Sequence, residues 1–232
     1  MNQPIRSWTD ADQALLYTCY LAADLLGDRP LRPAPVRTPF PPRFAADETY
    51  LASGPFSLSI HAAPGDGSYH HDSSFFFATG KAGLAATAGF AAARAVGNSR
   101  RRAAAQEQTI ARWLPRHTGE ITVSDRGMYL RNIQDFFAWD WHSIDSAEVV
   151  GFNTVILAAP TTAGTTHWLL QSQYAELVFL LWAKVRYPGH PQLVGDAWLP
   201  ENWAHWATAQ GHRPAVGVAP AVGTDFPAVP ER

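Results

Sequence analysis

Short segments in which apolar and polar residues alternate fill the second half of the chain, and this periodicity constrains the fold more than any other feature. Ile121 and Val123 alternate with a threonine and a serine, which is the two-residue period of a strand with one buried face. The run Asp125-Arg126-Gly127 supplies a turn before Met128-Tyr129-Leu130, so the two segments form a predicted hairpin. Further strands are predicted over 136–144, 147–152, 154–159 and 168–171, with a turn at 161–166 around Gly164.

A helix is predicted to follow these strands. Ser172 stands where a helix cap is expected, and Pro188 ends the helical pattern. One face of this helix is apolar at spacings of three and four, and consists of Tyr174, Leu177, Val178, Leu181, Trp182 and Val185. Pro200 begins a predicted short helix. We expect five tryptophans of this region to be packing anchors, namely Trp168, Trp182, Trp198, Trp203 and Trp206.

The first part of the chain predicts an amphipathic helix from Thr9 to Leu26 within an N-terminal segment, 1–28. Thr9 and Asp12 form a capping arrangement, and Gly27 suits a left-handed stop. Six prolines between Arg29 and Phe44 predict a semi-rigid linker, 29–47, because proline lacks an amide donor and favours extended neighbours. We expect the helix to dock on the main body or on a partner.

The main domain is predicted over 48–210. It begins with a strand between Tyr50 and Ala63, in which three apolar residues (Phe56, Leu58 and Ile60) alternate with polar ones. Glycine and alanine then dominate Gly80 to Gly97, which predicts one long helix or a broken helical pair that reaches about Trp113 and forms an insertion over about 75–113. Pro115 ends this pattern. The remainder, 211–232, is predicted to be a flexible tail.

The strand pattern of the second half resembles that of bacterial pleckstrin-homology-like and GRAM-like domains over about 113–187. The resemblance rests on the hairpin from Gly119 to Leu130 (GEITVSDRGMYL), on Trp139 to Ile144, on the hairpin from Val155 to Leu170, and on the closing helix from Tyr174 to Val185. It implies a small lipid-, peptide- or protein-binding module without catalysis or a cofactor. The expected fold is therefore α+β, with a small curved antiparallel sheet or partial barrel closed by a C-terminal amphipathic helix.

Charge is unevenly distributed, although the formal net charge is only −2. Residues 80–116 carry seven basic side chains against the single acid Glu107, a balance of +6 that leaves −8 for the rest of the chain. The basic members are Lys81, Arg94, Arg100, Arg101, Arg102, Arg112 and Arg116. The arginines predict binding to an anionic membrane surface or a protein partner; the alternative is a solvated helix face or an intramolecular contact.

The composition of this segment disfavours both nucleic-acid binding and a bilayer-spanning helix. Nucleic acid is disfavoured because only Trp113 lies near the basic residues, so aromatic stacking partners are lacking. The apolar run 82–93 is too short for the ~20 residues that span a bilayer. Spaced glycines in the same segment would instead permit close helix packing in a homo-oligomer.

Two groups of side chains raise the alternative of a small hydrolase. His61, His70, His71 and Asp72 are metal-ligand or acid–base candidates, although adjacent histidines on a strand point to opposite faces and an exposed polar turn is the simpler interpretation. Asp140 and His142 are two apart, so on a strand the carboxylate would orient the imidazole. No nucleophile motif accompanies them, and the leading hypothesis remains a non-catalytic binding protein, with a homo-oligomeric assembly subunit as a further alternative.

The N-terminus and the single cysteine favour a cytoplasmic location. Cys19 has no partner for an intrachain disulfide, and the first twenty residues lack the basic start and unbroken apolar run of a secretory signal. We therefore expect a cytoplasmic protein that associates peripherally with a membrane.

Overall fold

The computed structural model describes residues 6–31, 35–63, 110–161 and 164–215. The chain divides into two compact units, one formed by 1–59 and 115–232 and the other by 60–114. Only 60–63 and 110–114 of the second unit fall within the described residues. Among the described residues, no helix is long and apolar enough to cross a membrane.

In the described part of the chain, seven strands form one antiparallel sheet that is not closed. They are β1 (Tyr50–Ala62), β2 (Arg112–Ser124), β3 (Gly127–Arg131), β4 (Phe136–Asp140), β5 (Ser146–Gly151), β6 (Thr154–Thr161) and β7 (Gly164–Gln171), in the order β4-β3-β2-β1-β7-β6-β5. The expected α+β class and the expected antiparallel sheet are thereby confirmed. The predicted hairpin at Asp125-Arg126-Gly127 is also confirmed, with Val123 opposite Met128.

The sheet bends so strongly that distant strands touch. Trp139 lies on the edge strand β4 and Trp168 on β7, four strand positions away. In a flat sheet four spacings amount to roughly 19 Å, yet the two ring centroids are 5.7 Å apart. A 3₁₀ turn, Trp141–Ser143, links β4 to β5 at the opposite edge of the sheet. The concave side of the sheet is therefore where side chains from both halves meet.

Helix α1 (Asp10–Leu26) begins as the sequence predicts. Thr9 and Asp12 form a complete capping box, because each side chain accepts the backbone N–H of the other residue. Leu15, Leu16 and Cys19 are buried in the core. The C-terminal stop differs from the prediction, since Gly27 has φ −85° and the left-handed residue is Asp28, with φ 49°. An aspartate tolerates this conformation better than most residues do, because its short side chain can bond the local backbone.

Helix α2 (Ala175–Arg186) lies where the amphipathic pattern predicts it, and it is buried along most of its length. Trp182 ties the helix to the connection between β4 and β5, because its Nε1 donates a hydrogen bond to the carbonyl of Ile144 at 2.9 Å. The predicted cap is wrong in detail, because Tyr174 precedes the helix and no side chain caps it. Ser172 instead bridges, donating to the carbonyl of Pro55 and accepting the amide of Tyr174.

Two shorter helices complete the described fold, α3 (Pro191–Val194) and α4 (Trp203–Ala209). The sequence predicts α4 but not α3, because a single turn is too short to establish a period. Of the five predicted tryptophan anchors, Trp182, Trp198 and Trp203 are buried, while Trp168 and Trp206 are half-buried against the core.

The proline-rich segment packs on the sheet through its aromatic residues. Phe40 and Phe44 lie with their ring centroids 5.0 and 4.9 Å from that of Tyr129. The Tyr129 hydroxyl donates to Glu48 at 2.7 Å and accepts the amide of Arg43 at 3.0 Å. Apolar and polar contacts together thus hold this segment.

Three predicted boundaries are wrong. The helix expected to reach Trp113 does not, because Arg112–Ser124 is strand β2; Pro115 fits there since only Glu120–Val123 pair with β3. The strand expected over 136–144 ends at Asp140. Strand β7 begins at Gly164 rather than at Trp168. The rest of the Gly/Ala-rich insertion and residues 216–232 of the expected tail lie outside the described residues.

Candidate ligand-binding cleft

A cleft of about 360 Å³ opens on the concave side of the sheet, beside the edge strand β4. Strand β4 supplies Phe137 to Asp140, and the end of β6 supplies Ala159 to Thr161. Leu58, His117, Ser143 and Trp168 complete the lining. The cleft has the size and the mixed apolar and polar lining of a small-ligand site.

Aromatic rings form the walls of this cleft. Phe137 and Trp139 are two residues apart on β4, so their side chains share one face of the strand. The Trp139 and Trp168 rings meet at an interplanar angle of 59°. Both tryptophans remain half-buried, so the rings keep accessible surface that an apolar group can cover.

The polar groups at the cleft are already partly engaged. The ring of His117 packs edge-on against Phe137 at 5.0 Å, and its Nδ1 lies 3.5 Å from a carboxylate oxygen of Asp135. Asp140 accepts the amides of His142 and Ser143 through Oδ1 at 2.8 and 3.1 Å. These contacts hold the two polar side chains in place at the rim of the apolar walls.

The predicted Asp140–His142 pair is contradicted. The hypothesis placed both residues on one strand, but β4 ends at Asp140 and His142 lies in the 3₁₀ turn. The Asp140 carboxylate accepts the backbone N–H of His142, because Asp140 is the N-cap of the turn and its side-chain oxygen can bond the unpaired amides there. Asp140 therefore fixes the backbone turn at the mouth of the cleft.

The other candidate residues do not gather in the cleft. His61 is exposed on β1, with its ring 5.0 Å from that of Trp113, while His70, His71 and Asp72 lie outside the described residues. In the described part of the chain, no three His, Cys, Asp or Glu residues are grouped to hold a metal ion. Arg112 and Arg116 are exposed on β2. Arg94, Arg100, Arg101 and Arg102 are outside the described residues.

Sequence reasoning missed the cleft, although it singled out some of its residues. Trp168 was predicted to be a packing anchor, and no binding role was given to Phe137, Trp139 or His117. The i, i+2 spacing of Phe137 and Trp139 was the available signal. Their contact with Trp168 depends on the bend of the sheet, which the local pattern does not contain.

One ionisable group away from the cleft has a markedly altered acidity. Burial at the start of α2 raises the pKa of Glu176 to about 7, although a hydrogen bond from the amide of Asn153 acts in the opposite direction. Its other oxygen, Oε2, is buried without a hydrogen-bond partner among the described residues. Glu176 therefore carries a desolvation cost that depends on its protonation state.

Comparisons of this chain with protein-family models, with curated proteins and with solved structures found no match. The class that the fold defines is an α+β protein with an open, bent antiparallel sheet.

Proposed function

We propose that this protein is a non-catalytic binding module of the pleckstrin-homology-like or GRAM-like type, and that the aromatic cleft holds an apolar part of its ligand. The observation that carries the proposal is the set of three half-buried rings, Phe137, Trp139 and Trp168, around one open cleft. A seven-strand antiparallel sheet followed by an amphipathic helix supports the likeness to that class. The bend between β4 and β7 supports the finer description of the sheet as a partial barrel.

The cleft can contribute substantial affinity through burial alone. Transfer of one leucine-sized group from water into such a site is worth about 1.5–3 kcal/mol, and each 1.4 kcal/mol is about tenfold in the dissociation constant. Edge and face contacts with the tryptophan rings add to this. The rim carboxylate of Asp140 would orient a ligand that also has a polar group.

A neutral apolar dye, Nile red, tests whether the cleft binds. The substitution Ala159→Phe fills the cleft from β6, and we expect it to weaken saturable dye binding by about tenfold or more. The matched control is Ala204→Phe, at a half-buried alanine of α4 outside the cleft lining, which should leave binding unchanged. Equal binding by the two variants, or no saturable binding to the wild type, would overturn the proposal.

A second candidate function is peripheral association with an anionic membrane surface through the arginines of residues 80–116. The exposure of Arg112 and Arg116 on β2 favours it. Each arginine near an anionic leaflet contributes about 1 kcal/mol, so removal of three should weaken partitioning by about a hundredfold.

Co-sedimentation with vesicles of phosphatidylserine and phosphatidylcholine measures this association. We expect wild type to sediment at low salt and the triple variant Arg100→Ala, Arg101→Ala, Arg102→Ala to stay in the supernatant. Arg186→Ala, on α2 outside the basic segment, controls for the loss of any single arginine. Equal partitioning of wild type and triple variant would remove the membrane function.

A further inference from the structure

We propose that the free edge of strand β4 binds an extended peptide as an additional strand, whose alternate side chains enter the aromatic cleft and which places a cationic residue beside Asp140. This inference rests on the proposed function of the cleft and names the class of its ligand. Strand addition to a sheet edge is a general mode of peptide recognition, because backbone hydrogen bonds give affinity and pockets for alternate side chains give specificity.

The two edges of the sheet differ in their availability. At the β5 edge, the side-chain amide of Gln192 occupies both backbone groups of Val149, accepting its N–H at 3.0 Å and donating to its carbonyl at 2.7 Å. A side chain thus takes the place of a neighbouring strand there. Strand β4 pairs only with β3 among the described strands. Within the described ranges, a side chain therefore covers one edge of the sheet and no strand pairs with the other.

The backbone groups available on β4 follow from the ladder. Two backbone hydrogen bonds mark the ends of the β3–β4 ladder. The amide of Asn132 donates to the carbonyl of Asp135, and the amide of Trp141 donates to the carbonyl of Arg126. Because bonded and non-bonded pairs alternate in an antiparallel ladder, Phe137 and Trp139 bond to β3. Phe136, Ala138 and Asp140 are then the residues whose N–H and C=O point away from β3, and Ala138, opposite Tyr129, is the central one.

The cleft runs along this same edge. Phe137 and Trp139 point to one face of β4 and Ala138 to the other, yet all three border the cleft. Residues on both faces of a strand can line one cleft only beside the edge of the strand. Ala138 is exposed, so its small side chain leaves a neighbouring backbone room to approach. A peptide paired with Ala138 would direct every second side chain toward Trp139 and Trp168.

The charges at the edge favour a basic peptide. The cleft lining contains the carboxylate of Asp140 and no lysine or arginine. Asp140 forms no salt bridge with a described residue, and Arg126, which precedes the Gly127 opposite Asp140, is paired with Asp47 and Asp125. A lysine or arginine of the ligand would gain a charge-assisted hydrogen bond at Asp140 and could cover a tryptophan face with its alkyl stem.

A seven-residue random peptide display library, selected on the full chain, tests the proposal. Two variants at one residue separate backbone pairing from general binding. Ala138→Pro removes the outward N–H without removing a bond to β3, as proline is tolerated on an edge with its nitrogen facing out, while Ala138→Ser keeps that N–H. Circular dichroism verifies that both variants fold, and Asp140→Asn keeps the capping oxygen while removing the charge.

We expect the selected peptides to alternate apolar residues and to contain lysine or arginine. Their binding should weaken at least about tenfold in Ala138→Pro, remain in Ala138→Ser, and lose its preference for basic peptides in Asp140→Asn. Equal binding to the proline and serine variants, or no enriched peptide, would overturn strand addition. If Nile red binding still responds to Ala159→Phe in that case, the cleft remains a binding site and only the peptide inference fails. An enriched acidic or uncharged set would refute the charge argument.

Discussion

The buried carboxyl of Glu176 makes the stability of this fold depend on pH. Glu176 is 1% exposed at the start of α2, where its Oε1 accepts the amide of Asn153 at 2.7 Å. Its Oε2 has no hydrogen-bond partner among the described residues. Glu176→Gln retains an acceptor for the Asn153 amide and removes the titration, so it isolates the cost of ionisation.

The raised pKa of Glu176 determines whether the free energy of unfolding rises or falls with pH. Because burial raises the pKa of Glu176 from 4.5 to about 7 in the folded protein, the folded state holds this proton more tightly than the unfolded state. The stabilising contribution is complete below about pH 4.5 and is lost as the pH rises through about 7. Each pKa unit corresponds to about 1.4 kcal/mol, so the full loss at about pH 9 is on the order of 3 kcal/mol.

Urea unfolding of the wild type and of Glu176→Gln at a series of pH values measures this effect. Subtracting the two free energies of unfolding removes the titration of every other group. We expect the wild type to lose about 3 kcal/mol relative to the variant between about pH 4 and pH 9, with most of the change between about 5 and 7. A difference that is independent of pH would show that the carboxyl is solvated or paired in solution, and would refute the reasoning.

Three further substitutions test how the helices and loops are held. Asp12→Ala should cost about 2–4 kcal/mol in urea unfolding, since it removes the carboxylate that accepts the Thr9 amide in the capping box and leaves the buried Nε1 of Trp203 unpaired; a cost below about 1 kcal/mol would contradict this. Gln192→Ala should accelerate hydrogen exchange of the Val149 amide, and unchanged exchange would show that the β5 edge is not covered by this side chain. Tyr129→Phe should lower the free energy of unfolding by about 1–3 kcal/mol through loss of the hydrogen bond to Glu48, and an unaltered midpoint would argue against that bond.

Local patterns predicted the elements of this fold well where period and cap agree. Helix α1 has both an apolar stripe and the Thr9–Asp12 box, and its start was predicted at the right residue. The hairpin at Asp125-Arg126-Gly127 was also predictable, because alternation changes register across a recognisable turn. Predictions failed where a single residue had to decide a boundary. Pro115 suggested the end of a helix, but a proline is equally compatible with a stretch of strand that extends beyond the pairing with β3.

The candidate site was less predictable than the fold because it depends on long-range geometry. Asp140 and His142 were predicted to form a pair on the assumption that β4 continued through both residues. Instead the strand ends at Asp140, which caps a 3₁₀ turn that contains His142. The cleft joins β4 to β7, which are separated by three strands in the sheet. The contact of Trp139 with Trp168 exists only because the sheet bends, and alternation within one strand carries no information about that bend.

The indole N–H signals of the nine tryptophans provide the most direct test of the cleft as a binding site. In a proton–nitrogen correlation spectrum assigned by single substitutions, titration with Nile red should shift the signals of Trp139 and Trp168 along one saturable curve. The signal of Trp206, outside the cleft lining, should stay in place, and Ala159→Phe should abolish the shifts. Saturable shifts at Trp206 with none at Trp139 or Trp168 would contradict the central claim.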